Sequence, residues 1–301
     1  SLQNARMIDG IFREAEKRGV YIQWVINHHG QYSIKTNPVW DQNPYNTRNG
    51  GFLRSPDEFF RDEEAKRHYR DRLRYLVARW GYSTHLMAWE FWNEVNLTAN
   101  FHFETVKDWH EEMSAYLRTI DPYNHLQTTS GSGDYDRMEN INGLDYLQTH
   151  AYITGIIDKI MNTSKRAALE HPDRPHFFGE LSYDYRGPNK GDRNGVILHN
   201  QLWASVHGWD SGTAMTWWWD NWVRPYDLYY HFEALSHYVD GIDWLKQELL
   251  PLETNVTAHP KDYSDFVFGP GLGWAETDRE RFLIHRDGTV EGLGRCSTFV
   301  H

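Results

Sequence analysis

The sequence predicts an α/β fold on a parallel sheet, and two observations carry that prediction. Short apolar runs alternate with longer stretches whose apolar residues recur at helical spacing, which is how βα units read. At the C-terminal end of each apolar run stand polar or titratable residues, where parallel α/β sheets place their sites.

The elements follow in order. Residues 4–18 space Met7, Ile8, Ile11, Phe12 and Ala15 as one helical face, and Gly19 stops the helix. A strand over 21–26 leads to Asn27, His28 and His29, and a helix over 57–80 ends at Gly81. The next strand, 86–92, runs into Asn93-Glu94, and a helix over 104–120 is closed by Asp121-Pro122. Strands at 125–129 and 145–149 follow, the second leading to His150 and Tyr152. A helix over 154–170 precedes a strand at 176–179 that ends in Glu180. A helix over 194–208 precedes a strand at 213–219 that leads to Asp220, Asn221 and Trp222, and a helix over 229–247 closes the series. The segment 30–56 is longer than an ordinary connection and is expected to be a functional rim loop, with Trp40 and Tyr45 forming a distal subsite or pinning it down. From Pro251 the pattern changes to short alternating pieces with glycine turns, so 251–301 is expected to be a β-rich segment after a catalytic domain over 1–250.

Composition excludes several classes. With 31 Lys+Arg against 42 Asp+Glu, the chain lacks the cationic excess that nucleic acid or an anionic membrane requires. Cys296 stands alone, so no intrachain disulfide or CxxC metal site is expected. No apolar run has membrane-spanning length, and no strand is followed by a phosphate-binding glycine motif. Aromatic residues make up 15% of the chain, with 14 Trp, so indole rings either fill a core or stack on the apolar faces of sugars. Position has to decide between the two. Trp24, Trp80, Trp203 and Trp244 read as core; Trp40 and Trp222 read as rings on loops above the strand ends.

The strongest chemical signal is a pair of glutamates, Glu94 and Glu180, each directly after an apolar strand. A carboxylate there is costly unless it is solvated or paired. Two of them at strand ends suit glycoside hydrolysis, in which one carboxyl protonates the leaving oxygen and the other attacks the anomeric carbon.

The segments WEFWNE (89–94), FGE (178–180) and WWWDNW (217–222), in that order, resemble the (β/α)8 glycoside hydrolases of clan A, above all the cellulase-like family 5. The resemblance covers residues 4–247 and implies a (β/α)8 barrel, a retaining double displacement and no cofactor or metal. It implies that Glu94, on the fourth barrel strand, is the acid/base and that Glu180, on the seventh, is the nucleophile. Asn93 would bond the sugar 2-hydroxyl, His28 or His29 would be the third-strand histidine, and His150 and Tyr152 the sixth-strand pair, with Tyr152 orienting Glu180. The eighth-strand platform falls within Trp217–Trp219, chiefly Trp218. Trp89 and Trp92 are expected to keep the acid in apolar surroundings.

The six strands would then be the third to eighth of a barrel, so the chain is expected to be part of a longer polypeptide, with the C-terminal segment also incomplete. The clan's second-strand arginine has no visible counterpart. The implied substrate is a neutral β-linked oligosaccharide or polysaccharide of mannan, glucan or galactan type, met in a secreted or periplasmic setting, with no nucleic-acid or membrane partner. A transglycosylase using the same glutamates, a non-catalytic carbohydrate-binding barrel and a metal-dependent hydrolase using the histidine tips are the alternatives. Asp134, Asp136 and Asp184 read as loop acids, with a calcium site the lesser alternative; Arg186 and Lys190 read equally as a cleft wall or a solvated loop, and Asn96, Asn162 and Asn255 fit the glycosylation sequon, which is common by chance.

Overall fold

The computed structural model describes residues 2–133, 136–188, 191–240, 242–244 and 246, with three short strands further on. The chain divides into two units, 1–149 and 150–301.

In the first unit the alternation read from the sequence is the one observed. Helix α1 (Leu2–Arg18) buries Ala5, Phe12 and Ala15 on one face. It ends at Gly19 (φ +67°), where the left-handed turn lets Val20 N–H reach back to the Ala15 carbonyl at 2.9 Å. Strand β1 (Ile22–His28) and strand β2 (Leu86–Asn93) pair in parallel, with His28 opposite Asn93, and β2 pairs in parallel with β3 (Leu126–Thr128). Between the first two, helix α2 (Glu63–Trp80) starts at Asp62, whose carboxylate accepts the Ala65 N–H at 2.9 Å. It buries Ala65, Tyr69, Leu73, Leu76 and Trp80, an apolar stripe at helical period. Arg79 and the Trp80 indole N–H both bond the Asp9 carboxylate, which ties α2 to α1. Helix α3 (Phe103–Ile120) buries Trp109, Met113 and Leu117 on the same layer. The strand expected over 125–129 is interrupted: β3 ends at Thr128 and a separate strand, β4, occupies Ser130–Ser132.

The segment 30–56 is folded onto this core rather than raised as a rim. It is a string of short 3-10 turns, at His29–Tyr32, Trp40–Gln42 and Thr47–Asn49. Its backbone is satisfied by its own asparagines: Asn43 donates to the Gln31 carbonyl at 2.8 Å, Asn46 to Trp40 at 3.0 Å and Asn49 to Asp41 at 2.7 Å. Trp40 is therefore only 8% exposed and packs 6.0 Å from Tyr32, an arrangement that suits the loop-pinning alternative of its two readings. Swinging it out would forfeit about 2–3 kcal/mol of apolar burial.

Trp89 and Trp92 are core residues as well. Trp92 meets Tyr32, Phe60 and Trp109 at centroid distances of 4.8, 4.9 and 5.7 Å. Trp89 packs against Trp24 and donates its indole N–H to Asp121 at 3.1 Å.

Burial in this core also sets a pH response. His110 on α3 is fully buried, its Nδ1 2.7 Å from the Val106 carbonyl and its Nε2 3.0 Å from the Thr129 hydroxyl. Desolvation pushes its pKa down to about 4. The unfolded chain takes up this proton below the ordinary value of 6.5, and the folded chain does so only near 4. The stability due to neutral His110 is thus complete above pH 6.5 and is lost as pH falls through that window, by about 3 kcal/mol in all. Urea unfolding followed between neutral pH and pH 4 is expected to show this slope flattened by that amount in His110→Gln. An unchanged slope would remove His110 as its source.

The second unit takes up the end of strand β5 (Leu147–Tyr152), then helix α4 (Ile156–Glu170), strand β6 (His176–Ser182) and helix α5 (Val196–His207). Its core gathers Ile160, Phe178, Leu181, Leu198, Leu202 and Trp203. The strand expected at 213–219 is replaced by something shorter. Met215 exchanges backbone bonds with Phe178 and Leu181 of β6 (3.0 and 2.7 Å), as a strand would. From Trp218 the chain winds into a π turn over Trp219–Val223, with Val223 N–H bonding the Trp218 carbonyl five residues back. That winding buries Trp222, whose indole N–H donates to the Asp192 carbonyl at 2.8 Å, so it is not the loop ring expected. Helix α6 (Tyr229–Asp240) follows, and Trp244, expected in the core, is 43% exposed. Strands β7 (Val267–Phe268), β8 (Arg281–Ile284) and β9 (Val290–Leu293) pair antiparallel in sequence order.

Candidate active-site tips

Glu94 directly follows β2, and Glu180 is the third residue from the C-terminal end of β6, in the other unit. In the first unit, β1 delivers His28 and then His29, and β2 delivers Asn93 and then Glu94. Glu94 is only 6% exposed and has left-handed backbone angles (φ 54°, ψ 52°), unusual for a residue with a side chain. The turn redirects the chain from β2 into a 3-10 turn over Val95–Leu97. Its carboxylate lies 3.3 Å from Nδ1 of buried His29, while its N–H donates to the Ser130 hydroxyl at 3.0 Å. Of the two candidate histidines, His29 is thus the one beside the acid, and His28 is exposed at the strand mouth. Asn93 is half-buried opposite His28. Below the tip, Arg72 of α2 donates to the Asn27 side chain at 2.7 Å and to the Ile26 carbonyl at 2.6 Å, bracing the end of β1.

In the second unit, Tyr152 donates its hydroxyl to Glu180 Oε2 at 2.5 Å, and Nδ1 of buried His150 lies 3.5 Å from Oε1. Donors converging on a carboxyl favour its ionised form. The Tyr152 ring is 6.3 Å from that of Trp218, whose indole N–H donates to the Asp184 carbonyl at 3.2 Å. Trp218 is largely buried, whereas Trp217 and Trp219 are 54% and 59% exposed, so these two present the larger ring surfaces of the triplet. Asp184 is held by Arg186 through contacts of 2.6–3.0 Å, which lower its pKa and occupy both partners. Asp184 is thus a paired loop acid, the favoured of its two readings; Asp134 and Lys190 lie outside the described residues. Asn96 uses its side chain to bond Ser132 in both directions, and Asn255 is outside the described residues.

No family model matches the chain. It is 30% identical over 252 residues to mannan endo-1,4-beta-mannosidase 2 of Oryza sativa subsp. japonica, covering 67% of this chain and 55% of that protein. It is 28% identical over 142 residues to mannan endo-1,4-beta-mannosidase 2 of Arabidopsis thaliana, covering 43% and 31%. Among solved structures, the endo-beta-1,4-mannanase from Thermotoga petrophila superposes with a TM-score of 0.52 at 19% identity, over 70% of this chain and 52% of that one. GH5_18 from Streptomyces cattleya in complex with Manβ1-4GlcNAc superposes with a TM-score of 0.53 at 12% identity, over 72% and 57%. These likenesses bear out the resemblance to the cellulase-like glycoside hydrolases of clan A that the sequence carries. It spans about half the length of the rice relative. The α/β alternation with parallel strands is that of the clan's (β/α)8 hydrolases.

Two polar residues carry no site signal of their own in the motifs above: Glu90, 1% exposed in the middle of β2, and Ser130 at the start of β4. A signal for Glu90 was present, since a carboxylate inside an apolar strand is tolerated only with partners. Nothing in the sequence marked Ser130. Among the described residues no helix is long and apolar enough to cross a membrane.

Proposed function

We propose that this chain carries the catalytic part of a retaining β-mannanase that cleaves within β-1,4-linked mannan by double displacement, without a cofactor. The observation that carries the reading is the Tyr152 hydroxyl on Glu180 at 2.5 Å, because it favours the charged carboxylate a nucleophile must be. The mannanase names of the relatives supply the substrate class. In the first step the Glu94 carboxyl gives its proton to the glycosidic oxygen while the Glu180 carboxylate bonds C1, and the leaving sugar departs. In the second, Glu94, now a carboxylate, takes a proton from water, whose oxygen bonds C1 and releases Glu180. The mechanism requires the two carboxyls about 5–5.5 Å apart across one sugar ring. Asn93 would bond the 2-hydroxyl, His29 and His150 would hold the carboxyls, and Trp217 and Trp219, with the larger exposed rings of the triplet, would offer faces to the sugar. Residues 1–250 form the catalytic part in this reading, and 251–301 a separate β-rich segment. The formal net charge of −11 suits a neutral polysaccharide in an extracellular setting.

Incubation with β-1,4-mannohexaose, with products separated by size and their anomeric configuration followed by proton NMR, tests the reading. Shorter oligosaccharides released with the β-anomer first are expected. Release of the α-anomer first would refute retention. Cleavage of cellohexaose in preference would refute the substrate.

A further inference from the structure

The left-handed turn at Glu94 needs an anchor. An L-residue held in that region costs about 1–3 kcal/mol, and it persists only where the surroundings fix it. Here the fixing contact is the Glu94 N–H donating to Ser130 Oγ at 3.0 Å, with Ser130 itself fully buried. A serine hydroxyl has one proton, and its direction decides whether the oxygen faces the amide. That proton goes to Glu90 Oε1 at 2.8 Å; the competing acceptor, the Trp92 carbonyl, is at 3.4 Å. Glu90 is fixed in turn. Gln23 donates to its Oε2 at 2.6 Å and to Gln148 at 3.0 Å, and Tyr146 donates its hydroxyl to Gln23 Oε1 at 2.6 Å. Burial, reinforced by the negative charges of Glu90 and Asp145, raises the Tyr146 phenol above its ordinary range, which keeps it a donor. Every proton in the series Tyr146, Gln23, Glu90, Ser130 and Glu94 N–H has one direction.

We propose that Glu90 and Ser130 are positioning residues: the buried carboxylate orients the Ser130 hydroxyl so that its oxygen receives the Glu94 amide, and this holds Glu94 in the turn that presents its carboxyl. The catalytic consequence rests on the reading of Glu94 as the acid/base; the anchoring itself does not. An amide in place of Glu90 cannot serve both neighbours. If its oxygen faces Ser130, its NH2 meets the Gln23 NH2, whose other end Tyr146 already occupies.

Amide hydrogen exchange read by NMR on the whole chain separates the two claims. In the unaltered protein the Glu94 amide is expected to be protected. In Ser130→Ala and Glu90→Gln it is expected to exchange at least about tenfold faster, with the amides of α2 unchanged. Turnover of unactivated mannooligosaccharides is expected to fall about tenfold to a hundredfold with KM nearly constant, whereas the first step on an activated dinitrophenyl glycoside, read as its burst, is expected to slow far less. The double variant is expected to be no worse than the poorer single one, since the two act in series. Unchanged Glu94 protection in both variants would overturn the proposal, as would additive losses. Faster exchange together with an equal loss in the first step on both substrates would leave the anchoring in place and refute Glu94 as the acid.

Discussion

With Glu180 as the proposed nucleophile, Glu180→Ala is expected to lower turnover of an aryl β-mannoside by at least about a thousandfold, because the covalent intermediate then has no carboxylate to form on. Added azide is expected to restore turnover and to yield the α-glycosyl azide. The stereochemistry follows from the space left behind: the truncated side chain opens the face of the sugar that Glu180 would attack, and an anion entering there displaces the leaving group with one inversion. Glu94 remains in place to protonate the departing oxygen, so rescue needs no activated leaving group. Folding is a manageable confounder. The half-buried Tyr152 hydroxyl loses its acceptor, at about 1 kcal/mol, which a thermal midpoint measured beside the kinetics will register. A β-glycosyl azide, or full activity without azide, would remove Glu180 from the nucleophile's role.

The two glutamates were legible because the physics at a strand end is local. A carboxylate after an apolar run stands out in one dimension, and both Glu94 and Glu180 lie where the runs place them. The helices α1, α2 and α3 were legible for the same reason, through their apolar period and their stops. What was not legible depends on partners distant in the chain. Trp40 reads as a loop aromatic, and only the asparagine bonds at Asn43, Asn46 and Asn49 draw it inward. Trp222 reads as a ring beyond a strand, yet the π turn at Trp219–Val223 buries it against the Asp192 carbonyl. The run after Gly212 has strand composition and does bond to β6 through Met215, but consecutive bulky rings at Trp217–Trp219 leave before a strand is complete. Glu90 was hidden by the residue types around it: its meaning comes from Gln23 and Ser130, far away in sequence on either side.

Glu94→Gln is the second large effect, and its signature differs from that of Glu180→Ala. Glutamine keeps the volume and the backbone, so the left-handed turn, the Ser130 anchor and a polar contact to His29 at 3.3 Å are retained while the transferable proton is lost. General acid catalysis contributes about 10²–10⁴-fold, and turnover of mannooligosaccharides is expected to fall by that range. A dinitrophenyl glycoside leaves without protonation, so its first step is expected to proceed almost normally. The second step lacks a base, and the glycosyl-enzyme is expected to accumulate as a burst followed by slow turnover, detectable as a mass increase on the intact chain. Azide needs no base, and it attacks that intermediate from the face opposite Glu180. It should therefore accelerate the second step and give the β-glycosyl azide, the mirror of the outcome for Glu180→Ala. The alkaline limb of the pH–rate profile, which reports the acid, should vanish with the carboxyl. Equal losses on both substrates, with no burst and no azide effect, would mean that Glu94 holds the fold of the β2 tip rather than the proton.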